Sequence, residues 1–369
     1  MTLAATLQRA HLAELTPYAS ARRSMSGGAV WLNANEAPVT PVLAETATQL
    51  NRYPSFQSAS LNQAYANYAQ VSAEQVLSCR GSDEAIDLLI RSFCEPGQDA
   101  IMITTPTYGM YAISAQTQGA GVVDVPLVSA EDGTLQLNVD GMLDAMASNS
   151  QRIKLVFVCN PSNPLGNNVN LVELKRLIES VGDQALVVVD EAYIEFAAHE
   201  LATNRNVQAL NEVSQCLAKY PQLVVMRTLS KAFGLAAIRC GFALANTDVI
   251  DVLRKVIAPY PMPQPCLDIA EKALSAEGIA AMQQAIAETT AQRLAFIEAI
   301  ANKPWVKKVW PSCTNFVLLD VENAEQLVEQ CRLSGVLIRN QSAQRGLNNS
   351  VRVSIGSAAE MQQLMEVLP

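Results

Sequence analysis

The middle of the chain is built from short runs of consecutive apolar residues separated by stretches with helical periodicity. Strands are predicted at 100–104, 121–125, 153–159, 185–189, 223–226 and 240–245, with helices at 85–94, 171–181 and 206–219 among them. Strands that are apolar on both faces and alternate with helices specify an α/β fold with a mostly parallel sheet covered on both sides. Such sheets place their sites at the carboxyl ends of the strands. The pattern changes after residue 276, where a long helical stretch over 277–302 leads to short strands at 306–310, 315–319, 336–338 and 351–355. Helices at 325–332 and 358–367 complete a small α+β unit. The expected organisation is an irregular N-terminal arm over 1–45 that also begins the small domain, a large α/β domain over 46–276, and a small C-terminal domain over 277–369 entered through the long helix.

Composition narrows the function. The chain of 369 residues is long enough to bury a full core, and 50% hydrophobic with 17% charged residues is an ordinary globular mixture. A net charge of -9 with no basic run argues against a nucleic-acid partner, because phosphate backbones require clustered Lys and Arg. The eight cysteines form no Cys-x-x-Cys pair, and several lie inside apolar runs such as Val156-Phe157-Val158-Cys159, which reads as free thiols in a reducing compartment. Arg9, His11 and Glu14 interrupt the first fifteen residues, unlike a signal peptide, and no apolar run reaches the ~18 residues of a membrane span. A cytoplasmic protein is expected. With two histidines only, His11 and His199, neither near another candidate group, histidine catalysis and His-ligated metal sites are disfavoured, and no metal is expected.

Candidate chemistry collects at predicted strand ends. Lys231, in Arg227-Thr228-Leu229-Ser230-Lys231-Ala232-Phe233-Gly234, follows an apolar strand. An amine held there and partly desolvated has a lowered pKa and can attack a carbonyl to form a Schiff base. Arg80-Gly81-Ser82-Asp83-Glu84 opens a helix and is either a plain cap or an anion site. Tyr108, in Pro106-Thr107-Tyr108-Gly109-Met110-Tyr111, follows a strand and is either core filler or a stacking platform. Cys159-Asn160-Pro161-Ser162-Asn163-Pro164 forms a rigid turn that presents a side-chain amide. Asp190 ends the apolar strand before Glu191-Ala192-Tyr193, where a carboxylate is costly unless it meets a cation, a metal or a salt-bridge partner. Neither a Gly-Lys-Ser/Thr phosphate loop nor Gly-x-Gly-x-x-Gly occurs.

In this order the segments resemble the fold-type I pyridoxal phosphate enzymes. With Leu15-Thr16-Pro17-Tyr18, Leu32-Asn33-Ala34-Asn35-Glu36, Arg52-Tyr53-Pro54, Asp190 to Phe196 and Val256 to Pro261 the chain is similar to the histidinol-phosphate aminotransferases over nearly its whole length. The resemblance implies a homodimer that transaminates L-histidinol phosphate with 2-oxoglutarate, giving L-glutamate. It implies Lys231 as the Schiff-base lysine and proton carrier, and Asp190 as partner of the cofactor's ring nitrogen. Asn163 and Tyr193 would bond the ring oxygen, and Tyr108 would stack on the ring. Ser82, Asp83, Ser230 and Arg239 would hold the phosphate, joined by Tyr53 of a second subunit. Arg339 and Arg352, the latter embedded in Val351-Arg352-Val353, would clamp the substrate anion with help from Tyr18 and Asn33. Two positions depart from the family pattern: Leu165, where threonine is usual, and Ala237, where glycine is frequent. Neither carries a catalytic group, and small packing changes are expected. An aromatic aminotransferase and an amino-acid-phosphate decarboxylase are the alternatives on the same scaffold.

Overall fold

The computed structural model describes residues 2–13, 15, 50–200 and 209–369. In chain order its large sheet is built from β1 (Val76–Cys79), β2 (Asp99–Ile103) and β3 (Gly121–Asp124), then, past a two-stranded β4–β5 ribbon (Val128–Ser129, Leu135–Gln136), from β6 (Arg152–Cys159), β7 (Leu186–Asp190), β8 (Leu223–Thr228) and β9 (Gly241–Ala245). The spatial order is β1-β9-β8-β7-β6-β2-β3. All neighbours run parallel except β9, which is antiparallel to both β1 and β8.

Alternation in the central strands explains why they read as unbroken apolar runs. Val156, Val158, Val187, Val189 and Val225 enter the core on one face of the sheet. Leu155, Phe157, Leu186, Val188, Val224 and Met226 enter the core on the other. Both faces are covered, so successive side chains are all buried whichever way they point. The covering helices are amphipathic. In the helix Leu171–Val181, Leu174, Leu177, Ile178 and Val181 form the buried stripe, Asn170 Oδ1 accepts from Val172 N at 2.9 Å to cap the start, and Gly182 at φ +56° follows the end.

A helix of 25 residues, Ala276–Ile300, leads to the second sheet, β10 (Val306–Val309), β11 (Phe316–Val321), β12 (Arg339–Asn340) and β13 (Ser350–Ser354), all antiparallel in the order β10-β11-β13-β12. Helices Ala324–Leu333 and Ala358–Val367 pack on it around Phe296, Val317, Leu319, Val351 and Val353.

The strand near 240–245 runs against its neighbours, which makes the mostly parallel sheet a mixed one, a direction that apolar pattern alone does not reveal. Two expectations need correction. The described part of 206–219 is a turn followed by a 3-10 helix at Ser214–Ala218, whose Val213 and Leu217 supply the apolar spacing that suggested an α-helix. Segment 336–338 pairs with no strand: Val336 N bonds Cys331 O at 2.9 Å to close the preceding helix, and pairing starts at Arg339. No described helix is long and apolar enough to cross a membrane. All eight cysteines are free.

Beneath the carboxyl ends of β7 and β8 lies a buried ionic group. Arg227, fully buried, bonds Glu191 Oε2 through Nε at 2.8 Å and through Nη2 at 2.7 Å, and Asn211 Oδ1 through Nη1 at 2.9 Å. Glu195 is also buried, and burial pushes its carboxyl up to about 7 although the Arg227 guanidinium pulls it down. A carboxyl raised in the folded state binds its proton more tightly there than in the unfolded chain. Its stabilising contribution is complete below the ordinary value near 4.5 and is lost as pH rises through about 7. Glu195→Gln should therefore raise the unfolding free energy at pH 8 by up to about 3 kcal/mol and at pH 5 by much less. Urea denaturation at the two pH values measures the difference, and equal effects at both would contradict it.

Candidate active site

Five strand ends and the second sheet converge on one cavity of about 540 Å³. Asp190 is the last residue of β7 and is buried. Its Oδ2 accepts from Tyr111 Oη at 2.6 Å and its Oδ1 from Ala192 N at 3.2 Å. Burial raises the carboxyl to about 6 in spite of these two donors. Tyr111 is fixed in turn by stacking on Phe157, with ring centroids 4.8 Å apart.

After β6 the chain turns through Asn160 to Gly166. Asn160 Oδ1 accepts from Val169 N at 3.0 Å, and Ser162 N and Gly166 N bond Asn167 O and Ser162 O at 2.8 Å each. Gly166 needs its glycine, at φ +94° and with Ser312 Oγ 2.6 Å from where a Cβ would stand. This turn presents Asn163 to the cavity, where its Oδ1 accepts from Arg352 Nη1.

At the far end of β1 the helix Ser82–Phe93 begins, its start pointed at the cavity. Arg239 reaches over it. Nη2 lies 3.3 Å from Asp83 Oδ2 and Nη1 lies 3.5 Å from Ser230 Oγ. Thr228 Oγ1 donates to Ser230 Oγ at 2.9 Å and accepts from Ser230 N at 3.1 Å. Gly81, at φ +75°, admits the guanidinium, since a Cβ would stand 2.6 Å from Arg239 Nη2. The other oxygen of Asp83 accepts from Tyr108 Oη at 3.0 Å. A guanidinium, a hydroxyl and a helix start form a cup for a doubly charged anion.

Lys231 stands between these groups, its Nζ 5.6 Å from the centre of the Tyr193 ring. Desolvation lowers its pKa first, then the Arg352 guanidinium, while Asp83 and Asp190 pull it back up. Tyr193 packs edge-on against Phe316 at 5.2 Å, and the Arg352 guanidinium lies 5.2 Å from the same Phe316 ring. Burial also lowers the pKa of Arg352, and its Nε is buried without a partner. Arg339, paired in register with Arg352 across β12 and β13, lines the same cavity.

Ser82, Asp83, Tyr108, Asn163, Asp190, Tyr193, Ser230, Lys231, Arg239, Arg339 and Arg352 thus share one chamber. Tyr53 does not line it; half-exposed, it stacks on Tyr260 with centroids 4.4 Å apart. Tyr18 and Asn33 lie outside the described residues. Thr107, Tyr111, Thr228, Gln341 and Gln344 also stand at the site, and the sequence marks none of them plainly. Tyr111 alone offered a hint, three residues after Tyr108 and so one helical turn on. Thr107 Oγ1 is buried, without a partner, in the cavity wall. Orphaned polar atoms at Thr107 and Arg352, a carboxylate in want of a cation, an anion cup and a cation-flanked amine together fit pyridoxal phosphate and a second anion. Among the described residues no group of His, Cys, Asp and Glu could hold a metal ion.

The sequence profile of a family described as aminotransferase class I and II matches residues 27–368. The chain is 50% identical over 369 residues, 100% of its length and 99% of the relative's, to histidinol-phosphate aminotransferase 2 of Idiomarina loihiensis. It is 46% identical, over 99% of its length and 97% of the relative's, to the histidinol-phosphate aminotransferase of Aeromonas hydrophila. The fold is similar to that of histidinol-phosphate aminotransferase from Sinorhizobium meliloti in complex with pyridoxal-5'-phosphate, with a TM-score of 0.75 at 24% identity over 86% of this chain and 82% of that one.

Gly241 at the start of β9 packs on the helix start so closely that a Cβ would meet Ser82 N at 2.4 Å and the Gly81 carbonyl carbon at 2.5 Å. Both are backbone atoms and cannot rotate away. Gly241→Ala should destabilise the protein by about 1–3 kcal/mol and weaken binding of inorganic phosphate. Urea denaturation and phosphate titration check the two effects, and wild-type values in both would show that the helix start is not held by this contact.

Proposed function

The chain belongs to the class I and II aminotransferases, and we propose that it transfers the amino group of L-histidinol phosphate to 2-oxoglutarate, with pyridoxal phosphate as cofactor. The observation that carries this reading is the joining, in one cavity, of Lys231, Asp190 and the Ser82–Arg239 cup from the large sheet with Arg339 and Arg352 from the small one. Two anion sites flank one amine. One suits the cofactor phosphate and the other the phosphate of the substrate or a carboxylate of glutamate. A guanidinium fork matches either oxyanion. The names of the relatives, at 46–50% identity over the full length, support the same substrate.

When bound, pyridoxal phosphate supplies an aldehyde for amines and a ring that withdraws electrons from the adjoining carbon. The chain's own groups do the rest. Ser82, Ser230 and Arg239 would hold the phosphate near Lys231. Asp190 would pair with the ring nitrogen and keep it protonated, and that cation would in return favour the ionised form that burial disfavours. Asn163 and the Tyr193 hydroxyl would bond the ring oxygen, and Tyr108 would stack on the ring. Lys231 Nζ takes the proton from the carbon bearing the substrate's amine and returns it on the cofactor side, acting as base and then as acid. Its lowered pKa keeps a fraction of the amine unprotonated for this role. Arg352 and Arg339 hold the substrate anion so that this carbon faces Nζ. Tyr53, outside the cavity of its own chain, reaches the phosphate cup of a second copy, so the working unit is a homodimer. Its compartment is the cytoplasm.

Lys231→Ala should lack the visible absorbance of the lysine-bound cofactor and lose at least about a thousandfold in turnover; near-normal activity would sink the assignment. Adding L-histidinol phosphate without 2-oxoglutarate should convert the cofactor to its amine form in a single half-reaction. An unchanged spectrum, or equal response to phenylalanine, would point to another amine, and carbon dioxide release to a decarboxylase. Tyr111→Phe removes one of two donors that pull the Asp190 carboxyl down, so the pKa of that carboxyl rises. Asp190 is then protonated at higher pH, and the acid limb of kcat/KM should move upward. An unmoved limb would separate Tyr111 from the titration.

A further inference from the structure

With the cofactor and the anions placed, one wall of the cavity still has no role. It carries Gln341 and Gln344, on the segment that joins β12 to β13. Gln341 is two residues beyond Arg339. Its backbone N bonds Ser350 O at 2.8 Å and so continues the β12–β13 ladder by one step. Residues two apart on an extended strand share a face, about 6.6 Å from one another. Gln341 therefore stands beside Arg339 on the face that also carries Arg352. Its cross-strand neighbour Ser350 is turned to Asp320, with Oγ donating to Oδ1 at 2.6 Å.

The two glutamines hold each other. Gln344 Nε2 donates to Gln341 Oε1 at 3.3 Å. That bond leaves the N–H groups of Gln341 Nε2, the second N–H of Gln344 Nε2 and the acceptor Gln344 Oε1 without a partner among the described residues. The segment that carries them is fixed. Gln344 N bonds Gln341 O at 2.9 Å and Leu347 N bonds Gln344 O at 3.1 Å. Leu347 is fully buried against Leu165, Trp310 and Leu318, and Arg345 Nη1 pairs with Asp124 Oδ2 at 3.3 Å on the opposite side of the cleft. Preorganised amides lose little entropy when they bind.

Resting on the proposed reaction, we infer that the Gln341–Gln344 amide pair reads the imidazole ring of the substrate and sets its preference over other aryl groups. A neutral imidazole offers one N–H donor and one nitrogen acceptor, which the free Gln344 oxygen and Gln341 amide match. The phosphate and the ring of L-histidinol phosphate are joined through one oxygen and three carbons, a span of roughly 5–7 Å. This is of the same order as the step of about 6.6 Å along the strand from Arg339 to Gln341. Among the described residues the only carboxylates lining the cavity are Asp83 and Asp190, both on the large-sheet side, so the ring is read through hydrogen bonds without a counter-charge.

The test measures the first half-reaction of the holoenzyme with three amines: L-histidinol phosphate, L-phenylalaninol phosphate and L-glutamate. Phenylalaninol phosphate keeps the phosphate and has a ring without nitrogen; glutamate has neither. Gln344→Leu and Gln341→Leu should each weaken half-saturation by L-histidinol phosphate about tenfold, and change the other two amines less than about twofold. Equal losses for all three, or no loss for L-histidinol phosphate, would overturn the inference. If the buried Gln341→Leu fails to fold, half-exposed Gln344→Leu decides alone, its conversion by glutamate serving as the folding control. A wild-type enzyme that ignores L-histidinol phosphate but converts glutamate overturns the proposed substrate, and this inference with it, which is a distinct result from unaffected variants.

Discussion

A carboxylate at the end of a fully apolar strand is the constraint around which the rest of the structure is arranged. Asp190 continues the run Leu186–Val189, and burial alone favours its protonated form. Two donors, Tyr111 Oη and Ala192 N, oppose that cost without removing it. Tyr111 can serve only because it is buried on Phe157 of the next strand. The site is therefore an incomplete electrostatic balance, one that a cation such as a protonated ring nitrogen would complete. Desolvation makes the pairing strong for the same reason that it makes a lone carboxylate costly.

The second constraint is the union of the two sheets. Asn163 and Leu165 sit on the same turn and grip the small sheet in different ways. Asn163 Oδ1 accepts from Arg352, and Leu165 fills an apolar pocket formed by Trp310, Leu318 and Leu347. Cys313 N bonds Gly166 O at 2.9 Å beside them. A leucine in place of the more usual threonine at position 165 thus has a structural account: it exchanges a hydroxyl for apolar contact across the junction. Its neighbour Leu318 pairs with Arg352 across β11 and β13. Ala237, by contrast, is exposed.

The residues that gather in the cavity were legible in the sequence, and the architecture around them only in outline. Asp190, Lys231 and Arg352 could be read because each is a polar group set into an apolar run, a local contradiction that demands a partner. The central strands were legible for the complementary reason, having no such contradiction. What could not be read depended on contacts between distant segments. The antiparallel course of β9, the pairing of Arg339 and the role of Tyr111 rest on neighbours supplied by other parts of the chain. Val213 and Leu217 have helical spacing, yet a short 3-10 turn buries both equally well. Gln341 and Gln344, in an unremarkable polar stretch, gain meaning only because Leu347 and Arg345 pin that stretch across the cleft.

Lys231 shows how these constraints act together. Its amine feels two cations, Arg352 and Arg239, and two carboxylates, Asp83 and Asp190, and desolvation is the largest influence on it. An anion bound at Arg239 or Arg352 cancels one of the charges that depress its proton affinity. Under the proposed function, cofactor phosphate at Arg239 and substrate phosphate at Arg352 would each make the amine a stronger base. The amine would be least basic with Arg352 unoccupied, when it must remain unprotonated to bond a carbonyl, and more basic with an anion there, when it must take a proton from carbon. One arginine would then both hold an anion and tune the amine, because both project into one chamber from opposite sheets.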